Sequence, residues 1–516
     1  MSETVDILVI GGGITGAGIA LEAARRGASV LLVEQKDFAW GTSSRSSKLV
    51  HGGLRYLREG AIGLTRESVL ERRQLLHDAP GLVEPQRFLI GHYRGRSPGQ
   101  TLMRIGLAVY DLLGGERHRH AVDAAGYAQL APHTRQDGLQ SGSGYLDAKT
   151  DDSRLVWRVL DEARSHGAQI RNYTQVDQLI IEQGQVRGAH LRSEDGQTSD
   201  VRARCVISAT GVWADRLRQS LGQAPKLRPL RGSHVLIPLW RLPVAQSISL
   251  FHPRDGRPVF AYPWEGMALV GTTDIDHPHD LNQEPGITEE ELAYLLEAVQ
   301  HTFPHLHIDV KDVISTYAGV RPVVSSGAAD PSKETRDHIV LHEQGLITVT
   351  GGKLTTFRAI ALDTLKQAAK AHPDLRLKWG EHPILSPNPR GPALLKLEPV
   401  EQERLLGRYG AQAESFVASA ERRECIAIAG TRIWWAELAW IARHESVHHL
   451  DDLLLRRTRL GLVLPRGAQD LLPELKLRVQ SVLNWDDATW QRECARYADL
   501  IDQCYSLPTT LKDSRA

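Results

Sequence analysis

The sequence predicts an α/β protein in which a Rossmann-like domain is interrupted by an antiparallel β-sheet domain and followed by an α-helical one. Three observations predict it. A buried-strand pattern at the N-terminus runs into closely spaced glycines and then an alanine-rich helical stretch. Short alternating runs, His234 to Pro238 and Pro258 to Tyr262, read as strands of an antiparallel sheet. The prolines Pro383, Pro387, Pro389, Pro392 and Pro399 break regular structure ahead of a region of helical periodicity.

The first element is a strand, Val5 to Ile10, that leads into Gly11, Gly13 and Gly16 in GxGxxG spacing and a helix reaching Arg26. Gly11 permits a tight turn, Gly13 lets the backbone approach a pyrophosphate, and Gly16 lets helix and strand pack closely. Ile14 and Thr15 then open the helix, whose free N–H groups and partial positive charge suit an anion. A second strand, Ala28 to Val33, ends at Glu34, where a carboxylate can accept hydrogen bonds from ribose hydroxyls. No GKS or GKT follows the glycines, so an ATP-type P-loop is excluded.

The chain has 516 residues, enough for roughly two to four structural units. Lys plus Arg and Asp plus Glu are equal at 62 each, which removes any global electrostatic reason to expect nucleic acid as a partner. The four cysteines form no CxxC pair, so neither a disulfide framework nor a cysteine metal site is expected, and a reducing cytoplasm fits. The N-terminal apolar run stops at a glycine, short of a signal-peptide core. No stretch approaches the roughly 20 apolar residues of a membrane-spanning helix, so any membrane association is expected to be peripheral.

The run Gly41-Thr42-Ser43-Ser44-Arg45-Ser46-Ser47-Lys48-Leu49-Val50-His51-Gly52-Gly53-Leu54-Arg55-Tyr56 carries hydroxyls and a lysine suited to a pyrophosphate and a double glycine suited to a flat ring. It resembles the segment that runs along FAD in the flavin-dependent sn-glycerol-3-phosphate dehydrogenases. Further matches follow in the same order: Ile207-Ser208-Ala209-Thr210-Gly211, Arg231-Gly232-Ser233-His234, Gly271-Thr272-Thr273-Asp274, Gly319-Val320-Arg321-Pro322 and Gly351-Gly352-Lys353-Leu354-Thr355-Thr356. Asp451-Asp452-Leu453-Leu454-Leu455-Arg456-Arg457-Thr458-Arg459 is similar to that family's C-terminal helical domain.

The resemblance implies an FAD-binding domain of the amino-acid-oxidase/glutathione-reductase type. That domain is expected to be discontinuous, built from 1–75, 145–220 and 330–375, with 76–144 and 221–329 forming the substrate domain, 383–399 a linker and 400–516 the helical domain. The expected cofactor residues are Gly11, Gly13, Ile14, Thr15, Gly16, Glu34, Thr42, Ser43, Ser44, Ser47, Lys48, Leu49, His51, Gly52, Gly53, Ala209, Thr210, Gly211, Gly352, Lys353, Leu354 and Thr355. No metal ligands are expected.

A phosphate monoester needs fixed cations, and Arg55, Arg321 and Lys353 sit inside matching glycine motifs. Tyr56, Thr272 and Thr273 can hydrogen-bond the same substrate. The implied reaction takes a hydride from C2 of sn-glycerol 3-phosphate while a base removes the hydroxyl proton. His51 and His234 are the candidate bases because histidine titrates near the working pH, and Arg321 joins them in the catalytic set. The resemblance further implies a quinone acceptor at a membrane surface; a homodimer is expected from the prevalence of two-fold assemblies. Two alternatives stay open: an oxidase passing electrons to O2, and a non-catalytic FAD and metabolite sensor.

His444-Glu445-Ser446-Val447-His448 has zinc-protease spacing, yet Asp451 and Asp452 look like a new helix start, so the motif is expected to straddle a junction. Arg117-His118-Arg119-His120 reads as a solvated loop, and Trp434, Trp435, Leu438 and Ile441 as a core-facing stripe. Trp40 stands where the family usually carries a small residue, and its bulk is expected to narrow access to the cofactor.

Overall fold

The computed structural model describes residues 3–58, 60–95, 99–325 and 337–508. The part of the predicted segment 330–375 before residue 337 therefore lies outside the described residues.

The cofactor-side sheet is ordered His338–Glu343, Leu346–Gly351, Thr198–Ser208, Glu3–Ile10, Val30–Val33, Gln169–Arg171. Four of its pairings are parallel, centred on Glu3–Ile10 between Thr198–Ser208 and Val30–Val33. Val5, Ile7, Leu8, Val9 and Ile10 are all buried, as a strand covered on both faces requires. Helices Ile14–Ala24, Asp152–Ser165 and Phe357–Ala371 cover one face.

The second sheet has ten strands. Strand Leu227–Pro238 pairs antiparallel with both Met267–Gly271 and Ser315–Val324, and Val83–Tyr93 pairs antiparallel with Leu139–Thr150. It is not antiparallel throughout. The two excursions from the cofactor domain each contribute a block, and the blocks meet at a parallel seam between Ser247–Phe251 and Val83–Tyr93.

The expected boundary at 145 is corrected. Leu139–Thr150 is one unbroken strand of the second sheet, paired along Val83–Tyr93, and Leu49–Val50 joins the same sheet. The chain changes layer at Asp151, whose side chain accepts the Arg154 N–H and caps helix Asp152–Ser165.

The C-terminal region is helical, with Pro399–Tyr409, Trp435–His444, Leu472–Val479 and Asp487–Leu500 among its elements. Trp434, Leu438 and Ile441 are buried in a core shared with Tyr145, Leu236 and Tyr317 of the second sheet. Helix Trp435–His444 ends at the first histidine of the HExxH run, and Glu445 is buried against Arg154 at 2.8 and 2.9 Å. The two histidines therefore do not share one helix face, which a zinc site of this kind needs.

The Asp451 to Arg459 motif has a structural role of its own. Arg457 donates two 2.8 Å hydrogen bonds to Asp37, just beyond Glu34 of the cofactor domain, and Arg459 donates at 2.8 Å to Asp151. Arg456 bridges Asp37, Asp451 and Asp452 at 2.5 Å each. All these side chains are buried, so removing one partner would strand a charge away from water. Arg119, in the loop read as solvated, is exposed and pairs with Asp111 at 2.9 Å.

Candidate active site

The cofactor cleft is built by the N-terminal unit. Gly11 donates its N–H to the Val33 carbonyl at 2.8 Å and holds φ +114°, where a side chain would be strained and its Cβ would lie 2.5 Å from the Ala209 carbonyl oxygen. A Cβ on Gly16 would lie 1.9 Å from the Gly11 carbonyl oxygen. These contacts let helix Ile14–Ala24 start against the strand end, with Ser43 Oγ accepting the Ile14 N–H at 3.0 Å.

A cavity of about 660 Å³ runs from this turn. Of the predicted cofactor residues, Gly11, Gly13, Ile14, Thr15, Glu34, Thr42, Ser43, Ala209, Thr210, Gly211, Gly352, Lys353 and Leu354 line it. Glu34 accepts the N–H groups of Gly12 at 2.7 Å and Lys36 at 3.0 Å; burial raises its pKa while these N–H groups oppose the rise. The cleft thus fits FAD by its own chemistry. It has a glycine floor that a Cβ would fill, a helix N-terminus for the pyrophosphate and a carboxylate at the strand end for a ribose.

The remaining predicted cofactor residues do other things. Lys48 is corrected: its ammonium is fully buried between Asp152 and the Ser44 carbonyl, both at 2.9 Å, and so is not available to a pyrophosphate. Burial and Arg459 lower its pKa to about 8 against the pull of Asp152. Ser47 Oγ is 2.9 Å from His234 Nε2, and Leu49 pairs with Lys149 in the second sheet. Thr355 Oγ1 clasps the main chain of His51, accepting its N–H at 3.1 Å and donating to its carbonyl at 3.2 Å. Gly52 donates its N–H to Asp147 at 3.2 Å, and a Cβ on Gly53 would lie 2.1 Å from the Tyr56 ring.

Trp40 also lines the cavity, packed against Trp213 with ring centroids 5.7 Å apart. The strand Thr174–Glu182 supplies a further wall, Thr174 to Leu179, that sequence reasoning missed. Its polar, undistinguished run carries no motif.

The predicted substrate residues form two groups. The Lys353 ammonium donates to Ser68 Oγ at 2.7 Å and lies 4.1 Å from the centre of the Tyr56 ring. Burial lowers its pKa to about 8, opposed by Glu67 and Asp337. Arg55 occupies the same short helix as Tyr56, Leu54–Arg58. In the other group Arg321 donates to Asp274 and to Thr272 Oγ1, both at 2.9 Å. Thr273 is turned away by Glu291, which accepts its hydroxyl at 2.6 Å and the Ser233 hydroxyl at 2.8 Å and pairs with Arg231 at 3.0 Å.

The two histidines differ. His51 is half-buried; burial lowers its pKa, Asp147 opposes that, and Lys353 and Arg72 add to it. His234 is fully buried, stacks on Tyr317 at 4.6 Å, and is pushed well below the usual histidine range by burial, then by Arg321 and Lys48. Its Nδ1 has no hydrogen-bond partner among the described residues.

Comparison with known proteins places this geometry. A family model described as FAD dependent oxidoreductase matches residues 6–358, and one described as the C-terminal domain of alpha-glycerophosphate oxidase matches residues 358–490. The aerobic glycerol-3-phosphate dehydrogenase of Staphylococcus haemolyticus is 34% identical over 485 residues, covering 89% of this chain and 87% of the relative. That of Staphylococcus aureus is 34% identical over 491 residues, with the same coverage. Among solved structures, the glycerol-3-phosphate dehydrogenase of Bacillus halodurans complexed with FAD superposes with a TM-score of 0.76 at 27% identity, over 97% of this chain and 95% of that one. The L-alpha-glycerophosphate oxidase of Mycoplasma pneumoniae, at 19% identity and TM-score 0.59, shares the fold over 75% of this chain and all of that one. The chain belongs to the FAD-dependent oxidoreductases, in the family of the aerobic glycerol-3-phosphate dehydrogenases, and is an FAD-dependent enzyme.

Proposed function

We propose that this chain oxidises the C2 alcohol of sn-glycerol 3-phosphate to the ketone of dihydroxyacetone phosphate and passes the two electrons to a quinone at a membrane surface. FAD, when bound, supplies the acceptor for the hydride that leaves C2. The observation that carries the reading is Lys353, which lines the cofactor cavity while its ammonium rests on Tyr56 and Ser68. A desolvated cation is thereby held at the cofactor cavity, where it can pair with the phosphate of a phosphorylated alcohol.

The other residues take roles that follow from their surroundings. Arg321, gripped by Thr272 and Asp274, is the second phosphate cation, with Arg55 and Tyr56 on the side of Lys353. His51 is the base, because an imidazole held neutral by burial can take the hydroxyl proton as the hydride departs. His234, locked between Ser47 and Tyr317, serves as a neutral positioning ring with one nitrogen left to satisfy. Arg321→Ala is expected to raise the apparent KM for glycerol 3-phosphate by a factor of about 30 to several thousand, the equivalent of about 2–5 kcal/mol for a desolvated charged contact. Steady-state kinetics check it, and an unchanged KM takes Arg321 out of the site.

No described helix is long and apolar enough to cross a membrane. The surface we assign to an anionic bilayer is helix Gln100–Gly114, which exposes Leu102 at 61%, Ile105 at 60% and Leu112 at 79%. Exposed Arg104 lies on the same helix and exposed Arg117 three residues beyond its end, and both complement anionic headgroups. The variant Leu102→Asp with Ile105→Asp should lose co-sedimentation with phosphatidylglycerol vesicles yet keep its flavin reducible by substrate. Co-sedimentation equal to wild type contradicts the assignment. Reoxidation should be fast with a soluble quinone analogue and slow in air; the reverse order makes the protein an oxidase. A homodimer is proposed on general grounds of assembly symmetry, and light scattering of the purified holoenzyme tests it.

A further inference from the structure

We propose that Asp147 is a positioning residue for the reaction, fixing the His51-Gly52-Gly53 turn and, through it, the imidazole of His51. The inference rests on the reading of His51 as the base. Asp147 is 2% exposed on strand Leu139–Thr150 of the second sheet. Its Oδ1 accepts from three separate elements: the Gly52 N–H at 3.2 Å, Arg72 Nη1 at 2.8 Å from helix Ile62–Asp78, and the Tyr110 hydroxyl at 2.6 Å from helix Gln100–Gly114. Arg72 is itself anchored, donating to the Leu146 carbonyl at 2.8 Å and pairing with Glu116.

The turn has no slack on this side. A Cβ on Gly52 would lie 2.3 Å from the Tyr110 hydroxyl and 2.4 Å from Val69. On the other side Thr355, in the short turn before helix Phe357–Ala371, holds the N–H and carbonyl of His51. The imidazole is therefore carried on a loop clamped from both domains, with one carboxylate oxygen as the whole of the substrate-side clamp on its N–H groups among the described residues. The charged groups that act on His51 are Asp147, Lys353 and Arg72, and Asp147 is the anion of the three.

Asp147→Asn keeps the shape, removes the charge and weakens the clamp. In the FAD-loaded enzyme, substrate-driven flavin reduction at saturation should fall at least ten-fold, and the acid limb of its pH profile should move to lower pH. Tyr110→Phe keeps the charge and removes one donor, so its rate should fall by a smaller factor with the limb unmoved. On a His51→Gln background, Asp147→Asn should add less than two-fold. The His51 pKa followed by NMR in the oxidised holoenzyme needs no substrate and should also fall in Asp147→Asn, which separates this inference from the substrate assignment. An unmoved His51 pKa overturns it, as does an Asp147→Asn effect as large on the His51→Gln background as on wild type. If Asp147→Asn fails to retain FAD, Tyr110→Phe decides, and a reduction rate equal to wild type in that variant overturns the proposal.

Discussion

Gly16→Ala is expected to purify with less than about a tenth of the wild-type flavin, read as the ratio of absorbance near 450 nm, the general flavin band, to that of the protein. The added methyl would sit 1.9 Å from the Gly11 carbonyl oxygen, which is backbone and cannot swing aside. Helix Ile14–Ala24 must then move off the strand end, and with it the N–H groups that face the pyrophosphate. Gly13→Ala should lose flavin by a different route. Within the protein its Cβ would meet only Ser43 side-chain atoms, Oγ at 3.1 Å, so the turn is kept, and the methyl intrudes instead where the backbone approaches the pyrophosphate. Full flavin content in Gly16→Ala would mean that this turn does not hold the cofactor.

Lys353→Met should lower kcat/KM for glycerol 3-phosphate by a factor of about 30 to several thousand, the range for losing a desolvated, hydrogen-bonded charge contact. Ser68 and Tyr56 would lose their cation but neither would be left with a buried charge. The wild-type enzyme should also show a distinctive pH dependence. Burial lowers the Lys353 pKa to about 8, so the ammonium is complete below that pH and is lost as pH rises through it. Apparent KM should therefore climb above pH 8. Lys353→Arg, whose guanidinium does not titrate in this range, should flatten that climb even where it costs activity by misfit. A KM that rises identically in both enzymes would assign the transition to another group.

Much of this site was legible because its chemistry is local. Gly11, Gly13, Gly16 and Glu34 lie within one strand, turn, helix and strand, and each answers to a short-range steric or electrostatic demand. Lys353, Tyr56, Thr272 and Arg321 were singled out through motif resemblance, and the structure brings Lys353 to Tyr56 and Arg321 to Thr272. Lys48 was misread because its neighbours are hydroxyls suited to phosphate, whereas its partner Asp152 lies 104 positions away. Asp147 was invisible for the same reason: its donors come from Gly52, Arg72 and Tyr110, and no local pattern joins them. The parallel seam between Ser247–Phe251 and Val83–Tyr93 joins two excursions of the chain, and neither strand carries a sign of the other. The Asp451 to Arg459 motif was recognised by likeness alone; that it welds the helical domain to Asp37 emerges only when residues more than 400 positions apart meet.

The most direct test of the account is an anaerobic absorbance spectrum of the purified protein, taken before and after adding sn-glycerol 3-phosphate. The flavin band should bleach, dihydroxyacetone phosphate should appear in an amount equal to the flavin reduced, and a quinone analogue should restore the colour. A yellow protein whose flavin this substrate never bleaches would leave the FAD fold standing and contradict the substrate assignment.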